Sequence, residues 1–124
     1  MKYIKTIFFI FNFILLTLYL YPGSILGCVV YDNCLTQPQI VKDIVISSNH
    51  FIVFLFFSIL GIFSYSNKIR NICIYLMCCA FFLEISHYFI PNRTFQLQDL
   101  FGNILGVIIP LIIVYFVKYR RKKA

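Results

Sequence analysis

The chain has few charged residues, and acidic residues are the scarcest of them. Only 12% of its 124 residues are Asp, Glu, Lys or Arg, and only 4 of these are acidic. A soluble domain normally carries about a quarter charged residues, so a water-soluble surface is excluded. The chain also has no internal repeat and no low-complexity tract. Its length fits a single domain, residues 1–124.

What the chain does have is apolar sequence, which makes up 61% of its residues and falls into long runs. Each run approaches the ~20 residues needed to cross a hydrocarbon core. A backbone in lipid has to satisfy its own hydrogen bonds, so the runs predict helices. The expected fold class is all-α, an integral membrane four-helix bundle. Its helices are expected at about residues 4–21, 50–65, 72–90 and 100–117.

The formal net charge of +7 is distributed like a topology signal. Lys and Arg concentrate in cytoplasmic segments of multi-pass proteins. Nine of the eleven lie near the two termini or between the second and third predicted helices, and these segments would all lie on one side of the membrane. We therefore expect both termini in the cytoplasm, an external loop at 22–49 and a cytoplasmic basic tail at 118–124. Nucleic acid is not an expected partner, whereas membrane lipids are, and an oligomer is open. The nine residues are Lys2, Lys5, Lys68, Arg70, Lys118, Arg120, Arg121, Lys122 and Lys123.

Ionisable side chains at membrane depth are costly and usually functional, and the predicted topology brings several to the outer boundary. Glu84 and His87 are three residues apart on one predicted helix, and Asp99 and Asn103 are four apart on the next, so each pair shares a face. The predicted ligand-binding residues are His50, Glu84, His87, Arg93, Asp99 and Asn103.

The residues around this cluster resemble the signature of the VanZ-like family. The resemblance covers roughly residues 43–117. An earlier family element, Asp-Lys-x-x-His-Phe, has a partial counterpart in ISSNHF, with Ile46 and Ser47 at the Asp and Lys positions. The resemblance implies a small multi-helix protein of the bacterial inner (cytoplasmic) membrane and cell envelope. The signature reads Glu84, His87, Pro91, Arg93, Asp99, Asn103 and Gly106.

Three functions are compatible with this cluster. Arg93, with His50, Asn103 and Gln98 nearby, can bind a phosphate or another anionic lipid headgroup, including that of a lipid-linked envelope precursor. Alternatively, the chain is an enzyme acting on such a lipid, with Glu84, His87 and His50 as acid and base candidates or as metal ligands with Asp99. A structural or assembly subunit is the third. No spacing indicates a metal motif, and no metal site or cofactor is predicted.

The external loop holds two of the five cysteines. Cys28 and Cys34 are a possible disulfide in an oxidising compartment. The stretch SILGC ending at Cys28 also resembles a bacterial lipoprotein signal, with Cys28 as the lipidated residue. Cys73, Cys78 and Cys79 lie in a predicted helix, where cysteine normally acts as a small apolar packing residue.

Overall fold

In a computed structural model that describes residues 2–123, the chain is all-α, which confirms the all-α part of the predicted fold class. No β-strand occurs in these residues, and one turn of 3-10 helix, Ser66–Lys68, precedes the fourth α-helix. The α-helices are α1 (Lys2–Leu20), α2 (Ile25–Tyr31), α3 (Ser48–Ser64), α4 (Ile69–Ser86) and α5 (Leu97–Lys123).

The largest differences from the predicted helix boundaries are at the C-terminal ends of α4 and α5. Helix α4 ends at Ser86, so His87 is its C-cap residue and lies outside the regular helix. The chain then tightens into turns before Pro91, because a residue preceding proline disfavours the helical conformation. Helix α5 extends to Lys123 and includes the basic tail. Lys and Arg are good helix formers, and cations near a helix C-terminus are favourable.

The four long helices alternate in direction, which gives the molecule two chemically different ends. Helices α1 and α4 end where α3 and α5 begin, and the connections 21–47 and 87–96 lie there. We call this the acidic end, because all four acidic residues of the chain belong to it: Asp32, Asp43, Glu84 and Asp99. The opposite end, which we call the basic end, carries the nine Lys and Arg residues named above.

Aromatic and aliphatic side chains from α1, α3, α4 and α5 form the core between the two ends. The rings of Phe8 and Phe57 stack with centroids 5.2 Å apart, and Phe54, Leu76 and Leu83 are fully buried beside them. Packing of this kind fixes the relative positions of the helices, and therefore of the polar side chains that they carry.

Helices α3 and α5 approach each other closely at two glycines of α5. A Cβ atom on Gly102 would lie 2.8 Å from the carbonyl oxygen of Ser47, and one on Gly106 would lie 2.7 Å from Cβ of Phe54. Small residues four positions apart allow two helix backbones to approach this closely. Asp99 and Asn103 of α5 are held against α3 as a result.

Three helices are long and apolar enough to cross a membrane: α1, α4 with its preceding 3-10 turn, and α5. Helix α3 has 17 residues and is apolar, but is shorter than these. Large apolar side chains point away from the core on every long helix. Phe13 is 72% exposed, and Phe63, Phe82 and Ile113 are exposed in the same way. Such surfaces suit lipid rather than water, and the chain is a membrane protein.

The sequence predicted a loop at residues 22–49. The connection observed there, residues 21–47, contains α2. Ser24 caps this helix by accepting a hydrogen bond from the backbone N–H of Gly27 at 2.9 Å. Cys28 and Cys34 are joined by a disulfide in the structure. A Cys28 in this bond has no free thiol for lipidation. The connection is thereby folded over the acidic end.

Candidate functional site

The structure places all six predicted site residues at the acidic end, where they come from different helices. His50 is in the first turn of α3, Glu84 is in the last turn of α4, and Asp99 is in the first turn of α5. Asn103 lies one turn further along α5, and Arg93 is in the connection between α4 and α5.

Glu84 is the most deeply buried acidic group of the chain, with 0% of its surface exposed. Its Oε1 atom accepts a hydrogen bond from the backbone N–H of Gln96 at 3.1 Å. Its Oε2 atom is buried and has no hydrogen-bond partner within residues 2–123. Two imidazole nitrogens lie near Oε2, His87 Nδ1 at 3.4 Å and His50 Nδ1 at 3.7 Å. A buried carboxylate oxygen in this state needs a proton or a cation.

His50, Tyr19 and Asn103 form a triangle of polar atoms beside this carboxylate. Tyr19 donates its hydroxyl proton to Asn103 Oδ1 at 2.9 Å, and His50 Nδ1 lies 3.0 Å from the same hydroxyl and 3.1 Å from Oδ1. Asn103 Nδ2 donates to the carbonyl oxygen of Ala80 at 3.3 Å. The triangle therefore joins α1, α3, α4 and α5.

His87 closes the cluster from the end of α4. Only 2% of its surface is exposed. Its Nε2 atom lies 3.0 Å from the backbone carbonyl oxygen of Tyr19, which can only accept, so Nε2 carries the proton and donates it. The ring also stacks on the ring of Tyr19, with centroids 5.5 Å apart. The sequence prediction placed His87 on the regular helix, whereas the C-cap position turns it towards α1.

Arg93 forms no ion pair with Glu84 or Asp99 within residues 2–123. Its Nε atom donates to the carbonyl oxygen of Tyr21 at 3.3 Å, and one terminal nitrogen donates to the carbonyl oxygen of Leu18 at 2.7 Å. These carbonyls end α1, where cations are favoured. Burial lowers the pKa of the guanidinium, and the nearby Glu84 and Asp99 oppose that effect. Arginine nonetheless stays protonated at any physiological pH.

Two adjoining cavities open above the cluster. The first, of about 230 Å³, is polar, and the second, of about 140 Å³, lies against α1 and α3 and has mainly apolar walls. Leu15, Leu18 and Val53 contribute to the apolar cavity, whereas Asp43 and Asp99 contribute to the polar one. The residues shared by both are Ser24, Gln37, Asn49, His50, His87 and Arg93.

Sequence reasoning missed Tyr19 as a member of the cluster. Its position near the end of an apolar run is typical of interfacial tyrosines, so its residue type does not indicate a place in the cluster. In the structure Tyr19 is buried and touches His50 and Asn103. The signal that would have found it is weak: Phe8, Leu15 and Tyr19 recur at helical spacing on the buried face of α1.

Gln96 was also missed, because it contributes a backbone N–H rather than its side chain.

Asp43 was missed as well. It lines the polar cavity, and its carboxylate accepts hydrogen bonds from the backbone N–H and the hydroxyl of Ser48. The family element has its carboxylate at the position that Ile46 occupies in this chain. Asp43 places a carboxylate three residues before that position.

The fold and this cluster define an all-α membrane protein with buried ionisable groups at one end of its helices. The family model described as VanZ/LLP1 matches residues 5–118, and the chain belongs to that family. No curated protein and no solved structure shows a significant match to the chain. The family assignment therefore covers nearly the whole chain, including every residue of the cluster.

Proposed function

We propose that this VanZ-like protein binds the anionic headgroup of a membrane lipid in the polar cavity, with the first part of the lipid tail in the adjoining apolar cavity. The four long helices cross the bacterial inner membrane as a bundle in a single domain, with the acidic end facing outward. Both termini then lie in the cytoplasm.

The distribution of Lys and Arg supports this orientation. Nine basic residues lie at the basic end, against two, Lys42 and Arg93, at the acidic end. A bias of this size in short loops favours the basic end on the cytoplasmic side. The polar cavity then lies at the level of the outer-leaflet headgroups.

The unused hydrogen-bonding capacity of Arg93 is the observation that carries the proposal. The two carbonyl oxygens at the end of α1 engage Nε and one terminal nitrogen. The other terminal nitrogen has no protein acceptor within residues 2–123, and Arg93 lines both cavities. A guanidinium held by backbone groups with donors left over is suited to a phosphate oxygen.

The adjoining cavities match the two parts of a lipid. A headgroup needs hydrogen-bonding walls and a tail needs apolar ones, and both occur here around shared residues. Asn49 and Ser24 line the polar side, and Leu18 and Ile25 line the apolar side. A free soluble anion would have no use for the apolar cavity.

The test compares lipids that differ only in headgroup charge. Wild-type protein in neutral detergent is mixed with phosphatidylglycerol or phosphatidylcholine carrying identical acyl chains, and native mass spectrometry measures the bound fraction. We expect preferential binding of phosphatidylglycerol. Arg93→Gln should weaken that binding by about tenfold or more, because a charge-assisted hydrogen bond contributes roughly 1.5–3 kcal/mol.

Lys42→Ala is the matched control, since Lys42 is the other basic residue of the acidic end. It should change phosphatidylglycerol binding by less than about twofold, since exposed charges contribute little. Thermal unfolding of each variant shows whether Arg93→Gln remains folded, and Arg93→Lys keeps the charge if it does not. Equal binding of the two lipids, or unchanged binding in a folded Arg93→Gln variant, would contradict the proposal.

A further inference from the structure

The lone pairs of the polar cluster cannot all be satisfied by the protein groups around them. Asn103 Nδ2 donates to Ala80, which fixes the amide and makes Oδ1 an acceptor only. Because His50 Nδ1 lies 3.1 Å from that oxygen, the contact requires the His50 proton on Nδ1. In a neutral imidazole the other nitrogen, Nε2, then presents a lone pair. It lies 3.5 Å from Oδ2 of Asp99.

The same argument holds for His87. Its Nε2 proton is donated to the carbonyl oxygen of Tyr19, so a neutral ring presents the Nδ1 lone pair to Glu84 Oε2 at 3.4 Å. Glu84 Oε2 has no hydrogen-bond donor of its own within residues 2–123. When both rings are neutral and both carboxylates are ionised, the lone pairs of two ring nitrogens and the carboxylate oxygens therefore face one another in one region. No proton then lies between them to form hydrogen bonds.

We propose that this region is a binding site for one divalent metal ion, held by His50, Glu84 and Asp99. One ring nitrogen of His50 and one oxygen from each carboxylate lie within 4.8 Å of one another. Metal–ligand distances of about 2.0–2.2 Å set neighbouring ligands about 3–3.5 Å apart. The most widely separated of these atoms therefore need to close by about 1.3–1.8 Å, which side-chain rotations would have to supply.

Hydrogen bonds to the other atoms of these side chains resemble those that orient ligands in known metal sites. A ligating histidine normally donates its second ring N–H to an acceptor, and a ligating carboxylate is held by a further hydrogen bond. His50 Nδ1 faces Asn103 and Tyr19, and Glu84 Oε1 accepts from the backbone N–H of Gln96. His87 faces the free oxygen of Glu84 from the other side.

The ligand set indicates which ions fit. One imidazole and two carboxylates suit Zn²⁺ or Mn²⁺ better than a thiolate-preferring ion or Ca²⁺. Three protein ligands leave a coordination position open, as in sites that take up a further ligand. His50 and Asp99 are 15% and 17% exposed and line the polar cavity, so the open position can be reached from there.

The metal proposal does not depend on lipid binding, and its test contains no anionic lipid. Protein in neutral detergent is stripped with EDTA and titrated with Mn²⁺, and the electron paramagnetic resonance signal of free Mn²⁺ measures binding. We expect one Mn²⁺ per chain and displacement by Zn²⁺. Glu84→Gln and Asp99→Asn should each lower the Mn²⁺ affinity by about tenfold or more.

Asp32→Asn is the matched control, because it removes one exposed negative charge at the acidic end. Asp32 has φ of +51°, a conformation that Asn also tolerates. The Mn²⁺ affinity of the Asp32→Asn variant should therefore equal that of wild type. Should Glu84→Gln fail to fold, Asp99→Asn remains informative because its side chain is partly exposed.

Two results would overturn the metal proposal. One is folded wild-type protein that takes up no Mn²⁺ or Zn²⁺. The other is Mn²⁺ binding that persists unchanged in both the Glu84→Gln and the Asp99→Asn variants.

Discussion

The acidic end and the basic end of this molecule use polar residues in opposite ways. At the acidic end, Glu84, His87 and Asn103 are buried. Glu84 lies against His87, and Asn103 contacts Tyr19 of α1 and His50 of α3. At the basic end, Lys118 donates to the carbonyl oxygen of Ser66 at 3.2 Å and stays exposed, and Lys5 lies over the ring of Tyr65. Each basic side chain acts largely by itself.

This difference separates two roles of charge in one small chain. Exposed lysines and arginines orient a protein in the membrane through their number, so individual positions matter little. Buried ionisable groups depend on their neighbours, because each one loses its solvation and needs a specific partner. We therefore expect the basic end to tolerate single substitutions and the acidic end to respond to them strongly.

The largest expected effect concerns which end faces which side of the membrane. In a background without Cys73, Cys78 and Cys79, cysteine is introduced at Thr94 on the acidic end or at Asn67 on the basic end, both exposed positions. A membrane-impermeant maleimide applied to spheroplasts should label position 94 and leave position 67 unlabelled. Lysis should make both reactive. The reverse pattern would invert the proposed orientation.

The next effect concerns the close approach of α3 and α5. Gly106→Ala would place Cβ within 2.9 Å of the backbone of α3, at Phe51 O and Leu55 N, and should destabilise the protein by about 2–3 kcal/mol. Gly61→Ala near the basic end meets only side-chain atoms of Phe8 and Ile72, at 3.1–3.3 Å. That variant should stay within about 1 kcal/mol of wild type, because alanine favours the helix.

Unfolding in detergent, followed by circular dichroism, measures both glycine variants. Equal destabilisation by the two substitutions would show that the tight contact is not confined to the α3–α5 interface.

The smallest effect compares two tyrosine–asparagine hydrogen bonds of equal length. Tyr19 donates to Asn103 at 2.9 Å inside the cluster, and Tyr75 donates to Asn12 at 2.9 Å on the exposed surface. Tyr19→Phe removes one of the two donors of the buried Asn103 oxygen, which keeps only His50, and should cost about 1.5 kcal/mol. Tyr75→Phe should cost about 0.6 kcal/mol, which is typical of interhelical bonds in membranes.

Thermal unfolding of the two phenylalanine variants is the measurement. If Tyr75→Phe were as costly as Tyr19→Phe, burial would not explain the contrast between the two ends.

Much of the fold could be predicted because lipid makes strong demands on sequence. Long apolar runs have to be helices, and the structure has helices at all four predicted runs. Boundaries were harder, since caps and turns decide them. The end of α4 at Ser86 and the short helix α2 depend on local hydrogen bonds that the apolar pattern does not record.

The candidate site was accessible to sequence reasoning only in outline. Alternating helix directions place Glu84, Asp99 and His50 at one end whatever the packing. The partner of Arg93 was not predictable, because carbonyl oxygens at the end of α1 have no signature in the residue types there. Tyr19 was missed for a similar reason: its residue type suits both the interface and the cluster.

The sequence by itself determined that the chain is an all-α membrane protein with ionisable groups at one end, because hydrophobicity and charge are properties of residues. Only the tertiary structure decided which atoms of those groups face one another. That arrangement depends on helix rotation and on the close contact at Gly102 and Gly106. A rotation of α5 by one residue, about 100°, would turn Asp99 and Asn103 away from His50 without changing the apolar pattern needed to enter the membrane.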